Sequence, residues 1–424
     1  MRILHTSDWH LGRPLEERDR IEEQRELLGE IAALLDEHRV DLLLVAGDVF
    51  DTVNPPAAAE QLFYDAIEEM SHGGRRAVVV LAGNHDSPER LVAASPLADR
   101  YGISLMGLPG DVLPVQEEAR PGLVRRVASG PAYLELAIPG VPHGVCIAAL
   151  PYPSEARLRT ILATSLDEKE QQVAYAVHVA RLFADLGRNF RPDAVNLAAS
   201  HLFVTHGQES GSERPIQLGG ACAVPASAFP AGAHYVALGH LHRPQEVPGA
   251  AAPTRYSGSP MACSFAEVDQ AKSVVLVEAE PGKSARIELL PLTKGRPLAQ
   301  WEAKEGFAQA LSWCQSGKDA GAWIDLEIHG RLELGQVHEL RKARPELVRI
   351  RPVGPEVAAT PAGDPRTRSQ RPLAESFQDF FRAQRGEEPD AELVKLFCEL
   401  AQQEPETETA AAAPTDARVP GEAA

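Results

Sequence analysis

The spacing of apolar residues changes along the chain, and each change predicts an element. Apolar runs of strand length recur at residues 2–5, 41–46, 77–82, 145–150, 194–199 and 235–238. Between the first runs the period lengthens. Over residues 18–39, Ile21, Leu28, Ile31 and Leu35 fall on one helical face. Pro55-Pro56 opens a second helix over 56–71, because proline suits the first helical turn. This alternation of strand and helix predicts a layered α/β domain over residues 1–270. From 271 to 353 the signals shorten. Strands at 273–277, 323–328 and 348–351 mix with helices at 306–315 and 334–343, which predicts a smaller α+β unit.

The pattern then breaks over a linker, 354–372, rich in Pro, Gly, Ala and Thr. Beyond it, Phe377, Phe380 and Phe381 stand at i, i+3, i+4 spacing within 375–385, and Gly386 is a natural stop. Pro389-Asp390 can open another helix, with Leu393, Leu396, Phe397 and Leu400 on one stripe. Two short amphipathic helices cannot bury their own apolar faces, so the pair at 373–404 needs a covering surface. The Ala-, Glu-, Thr- and Pro-rich tail, 405–424, is expected to be disordered.

Composition adds limits. A chain of 424 residues exceeds what one core usually organises. No apolar run approaches the roughly 18 residues of a membrane span. The chain runs directly into a strand, so no signal peptide is expected. Its five cysteines (Cys146, Cys222, Cys263, Cys314, Cys398) are scattered without a CxxC pair, which fits reduced thiols in a cytoplasm. The net charge of −18 is the awkward quantity. Residues 387–424 carry ten acids against two bases, yet the remainder is still acidic. Strong nucleic-acid binding by this chain alone is therefore disfavoured. Metals, a local basic patch or a partner would have to hold a polyanion. Residues 341–371, with eight bases and three acids, are a candidate phosphate-contacting stretch. A solvated surface in a linker explains the same residues equally well.

The chemistry lies just after the strands. These segments are Thr6-Ser7-Asp8-Trp9-His10, Ala46-Gly47-Asp48, Ala82-Gly83-Asn84-His85-Asp86, Ser200-His201 and Gly239-His240-Leu241-His242. Ligands in α/β sheets gather beyond the carboxyl ends of strands, so five loops distant in sequence can converge. Carboxylate and amide oxygens combined with imidazoles suit manganese, iron or zinc better than calcium. Two such metals can activate water and hold a phosphate. Each motif alone is mostly incidental, and a histidine at a strand end is more often structural. Asp48 could simply cap the next segment. His206, His5, His143 and His234 compete with His201. The ordered series is what is hard to obtain by chance.

That series resembles the calcineurin-type metallophosphoesterase superfamily. The segments Ile3-Leu4-His5-Thr6-Ser7-Asp8-Trp9-His10-Leu11-Gly12, Ala46-Gly47-Asp48-Val49-Phe50-Asp51 and Tyr256-Ser257-Gly258-Ser259-Pro260 are similar to its SbcD-type nucleases. The resemblance implies a layered β-sandwich flanked by helices and two divalent metals, with Mn²⁺ the expected ion. One would be held by Asp8, His10, Asp48 and His242, the other by Asp48, Asn84, His201 and His240. It implies that His85 protonates the leaving oxygen or stabilises charge on the phosphate. An imidazole, ordinarily titrating at about 6.5, suits that role. Asp86 is expected to orient His85. Asp51 departs from archaeal and eukaryotic relatives, which often carry a histidine there. The resemblance further implies a capping role for 271–353 and docking of 373–404 on an SbcC-type, SMC-like ATPase. A homodimer of this chain within a heterotetramer would act on duplex ends, hairpins and single strands during replication, recombination and repair. ATP would be hydrolysed by the partner, because this chain has no GxxxxGK[ST] motif. Two rivals remain: a stand-alone phosphodiesterase or phosphatase for small molecules or phosphoproteins, and a non-enzymatic DNA-end scaffold.

Overall fold

The structure, a computed structural model, describes residues 1–118, 120–154, 157, 168–213, 223–353 and isolated positions beyond. Residues Met1–Gly354 form one compact unit and Pro355–Ala424 a second. Most of the second unit, including nearly all of the expected helical pair and the tail, lies outside the described residues.

Two sheets form the centre of the first unit. One contains the parallel strands β1 (Arg2–Thr6), β2 (Leu42–Ala46), β3 (Ala77–Leu81) and β4 (Ile103–Met106). Strands β12 (Ser273–Glu278) and β13 (Arg286–Pro291) extend it antiparallel, giving the order β13-β12-β1-β2-β3-β4. The other is built of β5 (Arg125–Gly130), β6 (Tyr133–Ala137), β7 (Val145–Leu150), β8 (Val195–His201), β9 (Tyr235–Gly239), β10 (Gln245–Glu246) and β11 (Thr254–Tyr256). Its order is β10-β11-β9-β8-β7-β6-β5, and its central strands β7, β8, β9 and β11 run parallel.

Alternation along the strands sorts the side chains into layers. Ile3, Leu42, Leu44 and Val79 meet Ile147, Leu197 and Tyr235 between the two sheets. Leu4, Leu43 and Val45 face outward to α1 (Ile21–Glu37) and α2 (Ala57–Met70) through Leu28, Ile31, Leu35 and Phe63. On the far side, Ala148 and Ala198 pack under Val179 and Phe183 of helix Glu168–Gly187. Strands covered on both faces read as unbroken apolar runs, as Leu42–Ala46 does.

The boundary of the smaller unit falls later than the apolar pattern predicts. Strand Ser273–Glu278 pairs with β1, so it belongs to the first sheet and not to the unit placed at 271–353. The smaller unit is β14 (Leu298–Ala303), β15 (Trp323–His329) and β16 (Leu347–Val353), all parallel, joined by helices Phe307–Ser316 and Leu334–Ala343. Expected as α+β, it alternates strand and helix throughout. Trp301, Ile324, Leu326, Leu340 and Leu347 form its own core. It is tied to the start of α1: Trp323 Nε1 donates to Glu23 at 2.8 Å, and the Arg18 guanidinium donates to the Pro345 carbonyl at 3.3 Å. No helix among the described residues is long and apolar enough to cross a membrane.

Candidate metal centre

The loops after β1, β2, β3, β8 and β9 meet at one edge of the sandwich. Backbone pairing continues past the first two strands. The Asp8 amide donates to the Gly47 carbonyl at 2.9 Å and the His10 amide to the Asp48 carbonyl at 3.0 Å. The chain turns sharply there. Asp8, His10, Asp48 and His240 have φ of 54°, 45°, 51° and 106°, a region that non-glycine residues seldom occupy and that concentrates at functional sites. The neighbouring glycines allow the close approach. A Cβ on Gly83 would lie 2.1 Å from Asp48 Oδ1, and one on Gly239 would lie 1.9 Å from the Ala46 carbonyl oxygen.

These loops bring the predicted ligands into two groups that share Asp48. In one, His10 Nε2 lies 3.0 Å from His242 Nε2 and 3.7 Å from Asp48 Oδ2. In the other, His201 Nε2 lies 3.4 Å from Asp48 Oδ2 and 2.8 Å from Asn84 Oδ1, which also lies 3.2 Å from His240 Nδ1. Asp8 receives the His240 amide at 2.9 Å and the Ser7 hydroxyl. Asp8, His10, Asp48, His201, His240 and His242 are all buried. His206, the competitor of His201, is exposed on a turn. His5 is buried but turns its Nδ1 to the Tyr235 hydroxyl at 2.9 Å.

The donor set fits divalent cations on its own chemistry. His201 Nδ1 donates to the Ala46 carbonyl at 2.9 Å, which turns Nε2 toward the oxygens of Asp48 and Asn84. His242 Nδ1 faces Ser212 Oγ at 2.6 Å and Glu267 Oε1 at 3.3 Å, and His10 Nδ1 lies 3.5 Å from Asp51 Oδ1. The Nε2 atoms of His10 and His242 face each other at 3.0 Å, so a shared proton or a cation must lie between their lone pairs. Burial pushes the Asp8 carboxyl up to about 6 against the pull of His201 and His242. Burial acts the same way on Asp48, but His201, His10 and His85 outweigh it and hold that carboxyl well below its ordinary value. Burial also opposes charge on His201, yet Asp48 and Asp8 prevail and raise it to about 9. The site thus already favours a positive charge between Asp48 and Asn84.

His85 stands beside these groups. Its Nδ1 lies 2.6 Å from the Asp51 carbonyl oxygen and its Nε2 lies 3.9 Å from Asp48 Oδ2. The ring is therefore oriented by a backbone carbonyl and not by Asp86, as the sequence suggested. The Asp86 carboxylate instead accepts amides from Val49, Phe50 and Gly83, at 3.2, 2.9 and 2.7 Å. It fastens the loop after β3 to the loop after β2. Arg157 braces the same loop by donating to the carbonyls of Gly83 and Asp86, at 2.7 and 2.6 Å. Asp51 accepts from Arg13 at 3.4 Å.

Sequence reasoning missed a second circle of residues. Glu267, buried, meets Ser212 and His242 and pairs with Lys272 at 2.5 Å. Glu213 Oε1 accepts the His242 amide at 3.0 Å. Buried carboxylates that orient ligating histidines are a usual part of metal centres. Their only sequence signal is a polar residue in a buried turn, which no spacing rule exposes. In the expected basic stretch, Arg349 and Arg351 are both paired to Asp325, at 2.5 and 3.0 Å, so part of that charge is already spent within the fold. A cavity of about 620 Å³ lies at the amino end of β1, lined by Met1, Arg2, Gly140 and Glu278, away from this chemistry.

Residues 1–244 match the family model of the calcineurin-like phosphoesterases. The chain is 44% identical over 407 residues to the SbcD protein of the SbcCD nuclease of Bacillus subtilis, covering 95% of this chain and 98% of that protein. It is 34% identical to the protein of the same name in Rhodobacter capsulatus, covering 72% of each chain. It is 31% identical to that of Escherichia coli K12, covering 77% of this chain and 78% of that protein.

Proposed function

The chain belongs to the calcineurin-like phosphoesterase family, in its SbcD branch of metal-dependent nucleases, and from that premise we propose a specific role. It is the nuclease component of an ATP-dependent double-strand DNA exonuclease and single-strand endonuclease. It cuts duplex ends in the 3′–5′ direction and opens hairpins, in DNA replication, recombination and repair. The observation that carries the reading is the convergence of Asp8, His10, Asp48, Asn84, His201, His240 and His242, with Asp48 between two groups of donors.

In this reading Asp8, His10, Asp48 and His242 would hold one Mn²⁺, and Asp48, Asn84, His201 and His240 would hold the other. Bound cations supply Lewis-acid charge and lower the pKa of water at the site. The chain's own residues do the rest. Burial excludes bulk water around the ligands, and the Nδ1 contacts of His201 and His242 fix their tautomers. The Asp51 carbonyl keeps a proton on His85 Nδ1 and aims Nε2 at the site, where the doubly protonated ring would give its Nε2 proton to the departing oxygen. The test is metal stoichiometry by calorimetry on the full chain. Two Mn²⁺ per chain are expected, with both sites weakened in Asp48→Asn; a single site, or an unaffected second site, contradicts the shared carboxylate.

The formal charge of −18 supports a partner. An SMC-like ATPase of the SbcC type would supply both ATP hydrolysis and the cationic DNA surface that this chain lacks, with 373–404 docking on it and two copies of this chain in a heterotetramer. The rival reading, a stand-alone phosphodiesterase, predicts turnover of small phosphodiesters without any partner and no need for residues past 370.

A further inference from the structure

The sulfur of Cys263, a ring nitrogen of His10 and a ring nitrogen of His242 lie within 4.8 Å of one another. Cys263 belongs to none of the strand-end motifs. Several contacts fix it there. The Ser259 amide donates to the His242 carbonyl at 3.1 Å, and Ser257 Oγ meets Ser7 Oγ at 2.7 Å, so this segment lies along the ligand loops. Buried Arg20 donates to the Ala262 carbonyl at 2.7 Å, pinning the residue before the cysteine. Glu267, four residues on, reaches His242 Nδ1. The thiol is half-buried and free of any disulfide. It lies within 4.8 Å of one ring nitrogen of each of two buried imidazoles, whose Nε2 atoms approach to 3.0 Å and need a proton or a cation between them.

We propose that Cys263 is a further ligand of the His10–His242 half of the centre, making that half selective for soft divalent cations such as zinc, cobalt or cadmium. The inference rests on the two-metal reading above and adds to it. Thiolate sulfur favours such metals over manganese, which prefers oxygen donors. On binding, the S–H bond breaks, the sulfur lone pair forms the bond to the metal, and the proton leaves to solvent. The half held by Asn84, His201 and His240 has no comparable sulfur among the described residues, so the two halves would differ in preference.

The test titrates Co²⁺ into the full-length, metal-stripped chain and follows its absorption. The wild type should show visible ligand-field bands together with an intense near-ultraviolet thiolate-to-cobalt band. Cys263→Ser should keep the former and lose the latter. In competition, Cys263→Ser should weaken Cd²⁺ or Zn²⁺ by at least about tenfold while leaving Mn²⁺ little changed. Ligand-field bands without the sulfur band in the wild type would overturn the assignment but leave the metal centre standing. A sulfur band that persists in Cys263→Ser would assign it to another cysteine and overturn the proposal equally. Absence of any bound Co²⁺ in both proteins would overturn the centre itself.

Discussion

At the scale of single residues, the site is a set of imidazoles given different tasks by different second partners. His85 has a backbone carbonyl behind it, whereas His10 and His242 face each other. Replacing His85 by Gln should leave Mn²⁺ binding unchanged and slow cleavage roughly a hundred- to ten-thousandfold, the usual size of a general-acid contribution. Calorimetry beside a nuclease assay checks both halves of that statement. His5 offers a different prediction. Burial pushes its pKa from 6.5 to about 3, so between these values the unfolded chain holds a proton that the folded chain does not. This contribution is complete above about pH 6.5 and is lost as the pH falls toward 3. Urea unfolding should show wild type losing about 2 kcal/mol more than His5→Gln between pH 7 and 5. Identical pH slopes would refute it. The candidate ligands stand out in the sequence because strand ends concentrate polar residues in apolar surroundings. The partners of His242 were not: Glu267 stands 25 residues away from it, and only the fold brings them together.

At the scale of elements, five strand ends must approach more closely than side chains normally permit. Gly239 ends β9 with no room for a Cβ against Ala46 at the end of β2. Gly239→Ala should therefore cost about 3 kcal/mol or more and displace the two following ligands, lowering both melting temperature and metal affinity. A variant that melts and binds metal like wild type would show that the two sheets are less tightly apposed. The central strands could be read directly because they are buried on both faces, as Val145–Leu150 is along its whole length. Edge strands could not. Arg286–Pro291 leaves four of six residues exposed, and its Arg-Ile-Glu-Leu-Leu-Pro reads as no clear pattern. Helix Glu168–Gly187 hides for a related reason, since Val173 and Val177 are exposed and blur its apolar stripe. In the unit after β13, strand β14, Leu298–Ala303, announces itself weakly because the alternation of its last five residues rests on Trp301 and two alanines.

At the scale of the whole molecule, the question is how an acidic chain acts on a polyanion. The fold supplies a buried, cation-seeking centre, but Arg349 and Arg351 are already occupied by Asp325. With a net charge of −18, the chain as a whole does not favour long-range attraction to DNA. Deleting residues 372–424 should therefore leave the metal centre and small-phosphodiester turnover intact while abolishing co-purification with the ATPase partner and cutting of duplex DNA. Retained co-purification would sink the docking role of that segment. The most direct test of the account is cleavage of an end-labelled linear duplex and a hairpin with Mn²⁺, with and without the SbcC-type partner and ATP. The account predicts duplex cutting that depends on the partner and ATP. Absence of DNA cutting under every condition, alongside turnover of a small phosphodiester by this chain alone, would contradict it.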